Sequence, residues 1–357
     1  MNSLEDIKYI ATYFRFEGKI IQIVPYGNGH INKTYLIETT RNKYIFQQIN
    51  STAFSDVESL MNNIQYVTDH IKSKGYTTLA VIPTCFNEAY IMKEGYFYRM
   101  YDFIEGTVCY EKVTDLESIR KTGEAFGDLH RQLSDIDSTR VSETIGGFHN
   151  TEQRYKNLQK AVKSDRFRRV LEVSEELDYI NKNVDKYSLI IDGIKNKKIP
   201  LRITHNDPKI NNILFNKKDG SVKCVIDLDT VMPGSALYDF GDALRSLFTG
   251  DLEDSEELNK LVVQKDIYEA YLSGYYSKMR GSLNKYEEEL LPMSIYIITM
   301  ELAIRFLEDY LNGDVYFATS KPKHNLLRAR TQIALAKDIE KHMDELKEIT
   351  NRIINNE

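Results

Sequence analysis

Cysteine is scarce in this sequence of 357 residues, which contains only Cys85, Cys109 and Cys224. Their number is odd and no C-x-x-C spacing occurs, so the sequence indicates neither a disulfide framework nor a zinc site. Sparse cysteine of this kind suits a reducing compartment. We therefore expect a cytoplasmic protein.

An excess of basic residues is also missing, because 53 Asp and Glu outnumber 47 Lys and Arg and give a formal net charge of −6. Nucleic-acid-binding proteins usually carry a basic excess, so the sequence predicts no nucleic-acid partner. No run of about 18 apolar residues occurs, and the N-terminal residues lack a basic segment followed by a long apolar stretch. We expect a monomer that is neither exported nor inserted in a membrane.

Hydrophobic residues, at 42% of the chain, are sufficient for a sizeable core, and a chain of this length usually forms more than one lobe or domain. In residues 1–100, runs rich in β-branched and aromatic residues predict five antiparallel strands. Hydrophobic residues at helical spacing predict one long helix that ends near Gly75. Beyond residue 106 helical patterns dominate, except for a β-rich segment at 211–230.

These patterns predict the α+β class. The expected organisation is a small N-terminal β-rich lobe built on an antiparallel sheet (1–100), a connector (101–106) and a larger, mainly helical C-terminal lobe (107–357). A ligand is expected in the cleft between two such lobes.

The most informative stretch is "THNDPKINNILFN", residues 204–216, which crowds polar residues in front of a strand-like apolar run. A surface turn needs only one or two such residues. A β-hairpin is predicted next, with "NKKDG" as its turn. If Asp219–Gly220 formed a two-residue turn, Asn212 and Asp227 would be cross-strand partners, whereas a longer turn would shift the register.

An Asp on a loop, an Asn five residues later and an Asp at the end of the next hairpin form an arrangement that phosphorylation of a hydroxyl group needs. One carboxylate orients the acceptor hydroxyl and takes its proton, while an amide oxygen and a second carboxylate hold the magnesium that bridges the nucleotide phosphates. Asp207, Asn212 and Asp227 have this order. Each residue alone could simply cap a turn, but the ordered set favours catalysis.

The segments "HNDPKINNIL" and "CVIDLD" resemble the catalytic and metal motifs of the aminoglycoside phosphotransferase and choline kinase superfamily, which has a protein-kinase-like two-lobed fold. With "PYGNGHINKTYLIET" and "ELAIRFLEDYLNGDVYF", the resemblance covers most of the chain and is closer to the N-acetylhexosamine 1-kinases. Those enzymes phosphorylate the anomeric hydroxyl of GlcNAc and GalNAc. The resemblance therefore implies ATP as co-substrate, Mg²⁺ as cofactor and a small sugar as substrate.

The resemblance also assigns roles to individual residues. It makes Asp207 the catalytic carboxylate and Asn212 and Asp227 the magnesium ligands. It implies that His205 orders the catalytic loop and that Asp239, in "YDFGD", braces it. The sugar contacts that it implies are His30, Asp229, Thr230, Arg305 and Tyr316.

The loop "YGNGHIN" occupies the position of the nucleotide-covering loop in kinase-like folds. The resemblance makes residues 1–100 the nucleotide-binding lobe and residues 107–357 the catalytic and sugar-binding lobe. Many kinase-like proteins carry a phosphate-neutralising lysine on the third strand, where this sequence offers only Gln47 and Gln48, and Gln47 is the expected occupant. Glu58 would ordinarily pair with that lysine and is expected to accept a hydrogen bond from the glutamine. The expected nucleotide contacts are Gly27, Gly29, Gln47, Met100 and Phe103.

Two other functions are compatible with the sequence. The same transfer could use an aminoglycoside, choline or another small alcohol as acceptor, although Arg305 would repel a cationic one. The missing lysine could instead indicate a pseudokinase that binds nucleotide as a sensor. The intact set of Asp207, Asn212 and Asp227 favours an active enzyme over that alternative.

Overall fold

The computed structural model describes residues 4–27 and 31–355. Its strands are β1 Ile20–Pro25, β2 Lys33–Thr39, β3 Lys43–Ile49, β4 Ile91–Lys93, β5 Tyr96–Asp102, β6 Thr107–Val108, β7 Arg202–Thr204, β8 Ile213–Asn216, β9 Val222–Val225 and β10 Met232–Gly234. Its α-helices are α1 Leu4–Ala11, α2 Val57–Ser73, α3 Leu116–Gln132, α4 Thr151–Ser164, α5 Ser174–Lys182, α6 Leu189–Lys195, α7 Ala236–Thr249, α8 Lys265–Met279, α9 Lys285–Leu311, α10 His324–Lys341 and α11 Met343–Asn355.

The chain folds into two compact units. Unit 1 consists of Met1–Val108, Asp135–Ile145 and Leu214–Met232, and unit 2 of Cys109–Ser134, Gly146–Ile213 and Pro233–Glu357. Two later segments of the sequence therefore belong with the N-terminal region. These compact units are defined by contacts and not by function, so the lobe boundaries expected at residues 100 and 106 stay a prediction.

Unit 1 is built on the five-stranded antiparallel sheet that the sequence predicts. The strand order is β1-β2-β3-β5-β4, and β4 and β5 are joined by the two-residue turn at Glu94–Gly95. Both turn residues have positive φ, at 52° and 80°, as a tight primed turn requires. The predicted helix is α2, which begins after the capping residue Asp56 and is followed by Gly75 at φ 81°. The α+β class is confirmed.

One face of this sheet is covered by α1, which the sequence pattern did not predict. Ile7, Ile10 and Ala11 of α1 are buried in one core with Phe46 and Met100 of the sheet. A helix of only eight residues is too short to produce a clear periodic signal, and packing against the sheet stabilises it.

The hairpin of β8 and β9 has the longer of the two turns that the sequence allows. The amide of Asn216 donates to the carbonyl of Ser221 at 2.8 Å, and Gly220, at φ 65°, donates to the carbonyl of Asn216 at 2.9 Å. The loop therefore spans residues 217–220, within the predicted turn "NKKDG", and Asp219–Gly220 does not form a two-residue turn. The register shifts as a longer turn requires, so the predicted cross-strand pair of Asn212 and Asp227 is not part of the ladder.

Unit 2 is mainly helical, and α9 packs against α4, α7 and α10 in its core. Among the described residues, α9 alone is long and apolar enough to cross a membrane by length and composition, but its most apolar stretch is 78% buried within the protein. That burial is typical of a core helix. Ile119, Phe126 and Leu129 of α3 are all buried, and their spacing places them on one face of the helix.

Candidate active site

In unit 2, the polar loop that follows β7 is held in place by one buried carboxylate. Asp239, in the first turn of α7, is fully buried and accepts from the amides of His205 at 2.7 Å and Asn206 at 2.8 Å. His130 of α3 lies 2.7 Å from the same carboxylate through Nε2, and its Nδ1 lies 2.9 Å from the hydroxyl of Tyr275. Burial alone would raise the pKa of Asp239, but His130 and the loop amides hold it below its usual value.

This anchor fixes a loop with unusual backbone geometry. Asn206 has φ 64°, in the left-handed region, and its side chain bonds back to Thr204 at 3.0 Å and 3.2 Å. Gly234 lies against Thr204 so closely that any Cβ would overlap the threonine hydroxyl. A left-handed residue of this kind persists only where its surroundings enforce it. The loop therefore presents residue 207 from a rigid support.

Asp207 follows this turn with its side chain partly exposed. Asn212, in a short 3₁₀ turn, donates from Nδ2 to the main-chain carbonyl of Asp207 at 2.8 Å. This contact directs the amide nitrogen of Asn212 to the loop and leaves its oxygen to act as an acceptor. The Nζ atom of Lys209 lies 2.9 Å from Oδ1 of Asp207.

Lys209 is part of a wider set of charges in unit 2. Burial alone would lower the pKa of Lys209, but Asp207 first and Asp242 further away raise it above its usual value. Asp242 itself accepts from Nε of Arg245 at 2.7 Å. Lys209, Asp242 and Arg245 were not identified from the sequence, although the i, i+3 spacing of Asp242 and Arg245 on α7 was visible.

His149 and Glu301 form a second buried pair in unit 2. Nδ1 of His149 lies 3.0 Å from Oε1 of Glu301, whose Oε2 accepts from the hydroxyl of Thr151 at 2.7 Å. Burial would lower the pKa of His149, but Glu301 and more weakly Asp242 outweigh it and raise the pKa, while Arg305 opposes them. No sequence pattern connected these residues, which are 152 positions apart.

The raised pKa of His149 predicts how stability changes with pH. Below the unfolded pKa near 6.5 the protonated histidine stabilises the folded protein fully, and this contribution is lost as pH rises through the higher folded pKa. We expect the gap in melting temperature between wild type and His149→Gln to shrink by a few degrees from pH 6 to pH 8.5. Differential scanning fluorimetry measures it, and a gap that widened with pH would contradict this pairing.

Arg305 and Tyr316, two of the predicted sugar contacts, lie together in unit 2. The guanidinium carbon of Arg305 is 6.0 Å from the ring centre of Tyr316, 5.7 Å from that of Phe148 and 5.5 Å from that of Phe317. Tyr316 is 72% exposed, so its ring is available to a ligand.

The segment that carries Tyr316 is held by another carboxylate. Asp309, near the end of α9, accepts from the amides of Val315 and Tyr316 at 2.9 Å and from that of Phe317 at 3.0 Å. Asn325 donates to the same carboxylate at 2.8 Å. Asp309 was not singled out from the sequence, yet it fixes the backbone on which the predicted contact lies.

In unit 1, the segment after β9 contains the predicted metal ligand and two predicted sugar contacts. Asp227 has φ 57° and begins the 3₁₀ turn Leu228–Thr230, in which Asp229 and Thr230 are buried. Asp229 pairs with Arg99 of β5, with Oδ1 2.6 Å from Nη1 and Oδ2 2.8 Å from Nη2. Asn32 also donates to Oδ2 of Asp229 at 2.6 Å.

The residues predicted to contact the nucleotide differ in how far they are buried in unit 1. Gly27 is exposed at φ 74°, while Gly29 and His30 lie outside the described residues. Phe103 is half-buried with its ring 6.0 Å from that of Tyr26. Met100 is fully buried in the core beneath α1 and has no exposed surface to offer a ligand.

Both polar atoms of the Gln47 side-chain amide form hydrogen bonds. Its Nε2 donates to the hydroxyl of Thr34 at 3.0 Å, and its Oε1 accepts from Nε of Arg99 at 2.9 Å. Glu58, expected to accept from Gln47, is exposed. That prediction is wrong because the amide nitrogen of Gln47 is directed to the neighbouring strand. The nucleotide role of Gln47 itself stays a prediction.

Between residues 4–27 and 31–355, no group of three or more His, Cys, Asp and Glu side chains is arranged to hold a metal ion. The predicted magnesium ligands, an amide and a carboxylate, are not a group of that type. Their role stays a prediction.

Comparison with solved structures relates the fold to known enzymes. The chain is similar to an aminoglycoside phosphotransferase from Alicyclobacillus acidocaldarius, with a TM-score of 0.65, 14% identity and 96% of each chain covered. It is similar to a choline kinase from Cryptosporidium parvum, with a TM-score of 0.60, 13% identity and 99% of this chain and 100% of that chain covered. A microcompartment-associated aminopropanol kinase has a TM-score of 0.60 at 13% identity, with 97% and 99% covered. At such low identity the similarity establishes the kinase-like fold alone.

The family follows from the sequence itself. The profile of the phosphotransferase enzyme family, APH, matches residues 22–279. This range covers well over half of the chain and includes Asp207, Asn212 and Asp227. It ends before Arg305 and Tyr316. The chain therefore belongs to the phosphotransferase enzyme family.

Proposed function

We propose that this phosphotransferase is an ATP- and Mg²⁺-dependent kinase that phosphorylates the anomeric hydroxyl of N-acetylhexosamines, giving the α-1-phosphate and ADP. The observation that carries the proposal is the rigid loop of unit 2 on which Asp207 is presented, with Lys209 and Asn212 bonded to it. The choice of sugar rests on the sequence resemblance. GlcNAc and GalNAc are both included.

Asp207 is proposed as the group that orients the acceptor hydroxyl and takes its proton. Its side chain is 28% exposed, so a small molecule can reach it. The loop beneath it is fixed by Asp239, which reduces the reorganisation needed for in-line transfer. The Nζ atom of Lys209 lies 2.9 Å from Oδ1 of Asp207 and restrains the position of the carboxylate.

Asn212 and Asp227 are proposed as magnesium ligands. Both offer hard oxygen atoms, which magnesium prefers. The amide nitrogen of Asn212 is already bonded to the carbonyl of Asp207, so its oxygen is the atom left for a cation. Magnesium bound there would neutralise charge on the nucleotide phosphates. Nucleotide binding has precedent among similar folds, including a spectinomycin phosphotransferase in complex with ADP.

The acceptor is proposed to be neutral rather than cationic. Arg305 lies among the rings of Phe148, Tyr316 and Phe317, and such a surface suits a sugar ring. Burial lowers the pKa of Arg154, and the nearby Arg305 lowers it further. Glu301 and Glu308 offset part of the positive charge of Arg154 and Arg305. A cationic acceptor such as choline, aminopropanol or an aminoglycoside therefore gains less from this surface than from one lined by carboxylates alone.

An acceptor panel tests the proposal. ATP would be supplied with GlcNAc, GalNAc, choline, aminopropanol or kanamycin, and ADP release would be coupled to a spectrophotometric signal. We expect turnover with the two sugars alone. Methyl α-glycosides of the same sugars are the matched controls, because they differ only in the blocked anomeric oxygen, and we expect no turnover with them. Phosphorus NMR would identify an α-1-phosphate.

Other results would change the conclusion. Turnover with the methyl glycosides would place transfer at another hydroxyl. Turnover with choline, aminopropanol or kanamycin but neither sugar would replace the proposed acceptor. Stabilisation by magnesium–ATP with no acceptor-dependent turnover would favour a nucleotide-binding pseudokinase.

A further inference from the structure

A row of polar side chains crosses three strands of the unit 1 sheet. Thr34 of β2 is the cross-strand partner of Gln47 in β3, and Gln47 is the partner of Arg99 in β5. Hydrogen bonds of 3.0 Å and 2.9 Å join the three side chains in that order. The row ends at the carboxylate of Asp229, outside the sheet.

Each nitrogen of the Arg99 guanidinium contacts another side chain of this network. Its side chain is 1% exposed, Nε donates to Gln47, and both terminal nitrogens face Asp229. The guanidinium also lies 5.2 Å from the ring centre of Tyr101 and 3.8 Å from Sδ of Met61. Arg99 therefore cannot reach a phosphate group without breaking a buried ion pair, which is strongly unfavourable.

The carboxylate held by Arg99 belongs to the turn that begins at Asp227. Asp227 is in the left-handed region at φ 57°, ψ 59°, and Asp229 is in the middle of the 3₁₀ turn that follows. A non-glycine residue in that region is maintained by its surroundings. Nη2 donates a hydrogen bond to Oδ2 of Asp229, and Nη1 lies 2.6 Å from Oδ1 as an ion-pair contact. A planar guanidinium that contacts both oxygens restrains the position and the rotation of a carboxylate, which the single ammonium of a lysine cannot do.

Asn32 adds a second restraint on the same carboxylate. It donates to Asp229 at 2.6 Å, and its own side-chain oxygen accepts from the amide of Asn50 at 2.9 Å. Asp229, one of the predicted sugar contacts, is thus bonded on two sides within unit 1. Its surroundings suit a residue that holds a turn.

We propose that Arg99 is a positioning residue for Asp227, which it orients by clamping Asp229 in the turn Leu228–Thr230. This inference rests on the proposed function, because it takes Asp227 as a magnesium ligand. It also accounts for Gln47 in place of the third-strand lysine. Within this row of side chains the positive charge lies on β5, and Gln47 orients Arg99 instead of neutralising phosphate.

The variant Arg99→Lys keeps the charge and removes the planar group that contacts both oxygens of Asp229. Groups that orient a metal ligand typically affect metal affinity about 10–100-fold. We expect the Mn²⁺ dissociation constant, measured by EPR at saturating ADP, to rise at least about tenfold. We expect kcat to fall in parallel while the acceptor KM stays within about threefold. Gln47→Leu should shift Mn²⁺ affinity in the same direction by a smaller factor.

Arg330→Lys is the matched control, because Arg330 pairs with the buried Glu176 at 2.6 Å in unit 2 and has no assigned part in nucleotide or acceptor binding. We expect it to leave Mn²⁺ affinity unchanged. Circular dichroism would check folding first, and Gln47→Leu decides the question if Arg99→Lys does not fold. Unchanged Mn²⁺ affinity in the folded variant would overturn the inference, even if its melting temperature fell.

Gln47→Leu also separates positioning from direct nucleotide contact. Weaker ADP binding without metal, together with normal Mn²⁺ affinity at saturating ADP, would assign Gln47 to the nucleotide and overturn its role here. Different results would contradict the proposed function and the role of Arg99. If wild type bound Mn²⁺ and ADP but transferred no phosphate, the kinase proposal would fall, while the binding comparison would still decide the role of Arg99. If wild type bound no Mn²⁺ with ADP, both would fall.

Discussion

Asp207→Asn is expected to lower kcat by about 10³-fold, within the range that general-base groups contribute. Asparagine has nearly the same shape and retains the main-chain carbonyl that accepts from Asn212 at 2.8 Å. It cannot take a proton from the acceptor hydroxyl, and it removes the negative charge beside Lys209. The chemical step should therefore fail while the loop keeps its form.

The measurement pairs turnover with binding. ADP release in the presence of GlcNAc gives kcat, and calorimetric titration gives the dissociation constant of magnesium–ADP, which we expect to change by less than about threefold because the predicted metal ligands are untouched. Asp344→Asn on α11 is the control, because its side chain is 97% exposed. A variant Asp207→Asn with normal kcat would remove this residue from its catalytic role.

Asp239→Ala is expected to destabilise unit 2 by about 3–5 kcal/mol, the typical cost of removing one partner from a buried charged network. The substitution removes the acceptor of the amides of His205 and Asn206 and the partner of Nε2 of His130. The left-handed conformation of Asn206 also loses its anchor. The loss should therefore affect both folding and the presentation of Asp207.

Chemical denaturation followed by circular dichroism would measure the change in unfolding free energy. Asp178→Ala on α5 replaces an exposed aspartate in a helix and should change stability by no more than about 0.5 kcal/mol. If Asp239→Ala unfolded at the same denaturant concentration as this control, the bracing role would be wrong. Reduced activity in the fraction that remains folded would connect the brace to catalysis.

Regular elements with a strong local pattern were predictable. α2 and α3 have hydrophobic residues at helical spacing over 17 residues each, and β2 and β3 are among the five strands predicted in residues 1–100. The eight-residue helix α1 was missed because its stability comes from the sheet against which it packs. The segment of the β8–β9 turn was predictable but its register was not, because Asp219–Gly220 fits a short turn locally, while the strands on either side decide where the ladder closes.

One missed residue did leave a signal in the sequence. Arg99 stands in "YFYRMYD", between aromatic and apolar residues of a predicted strand. An arginine in such a strand is either on a solvent-facing side or buried and paired, since buried arginines need a partner. Without the three-dimensional structure, the partner could not be named. Asp229 is 130 positions further along the chain.

The sequence by itself determined the kinds of element, the α+β class and the order of the polar residues from which the phosphotransferase family can be identified. These properties depend on local spacing and on residue chemistry. Only the tertiary structure decided that Asp309 holds the segment of Tyr316 and that Arg99 clamps Asp229. Each of these arrangements pairs a buried polar group with partners from elsewhere in the chain. The choice of partner depends on which segments the hydrophobic core brings together, and no local pattern encodes it.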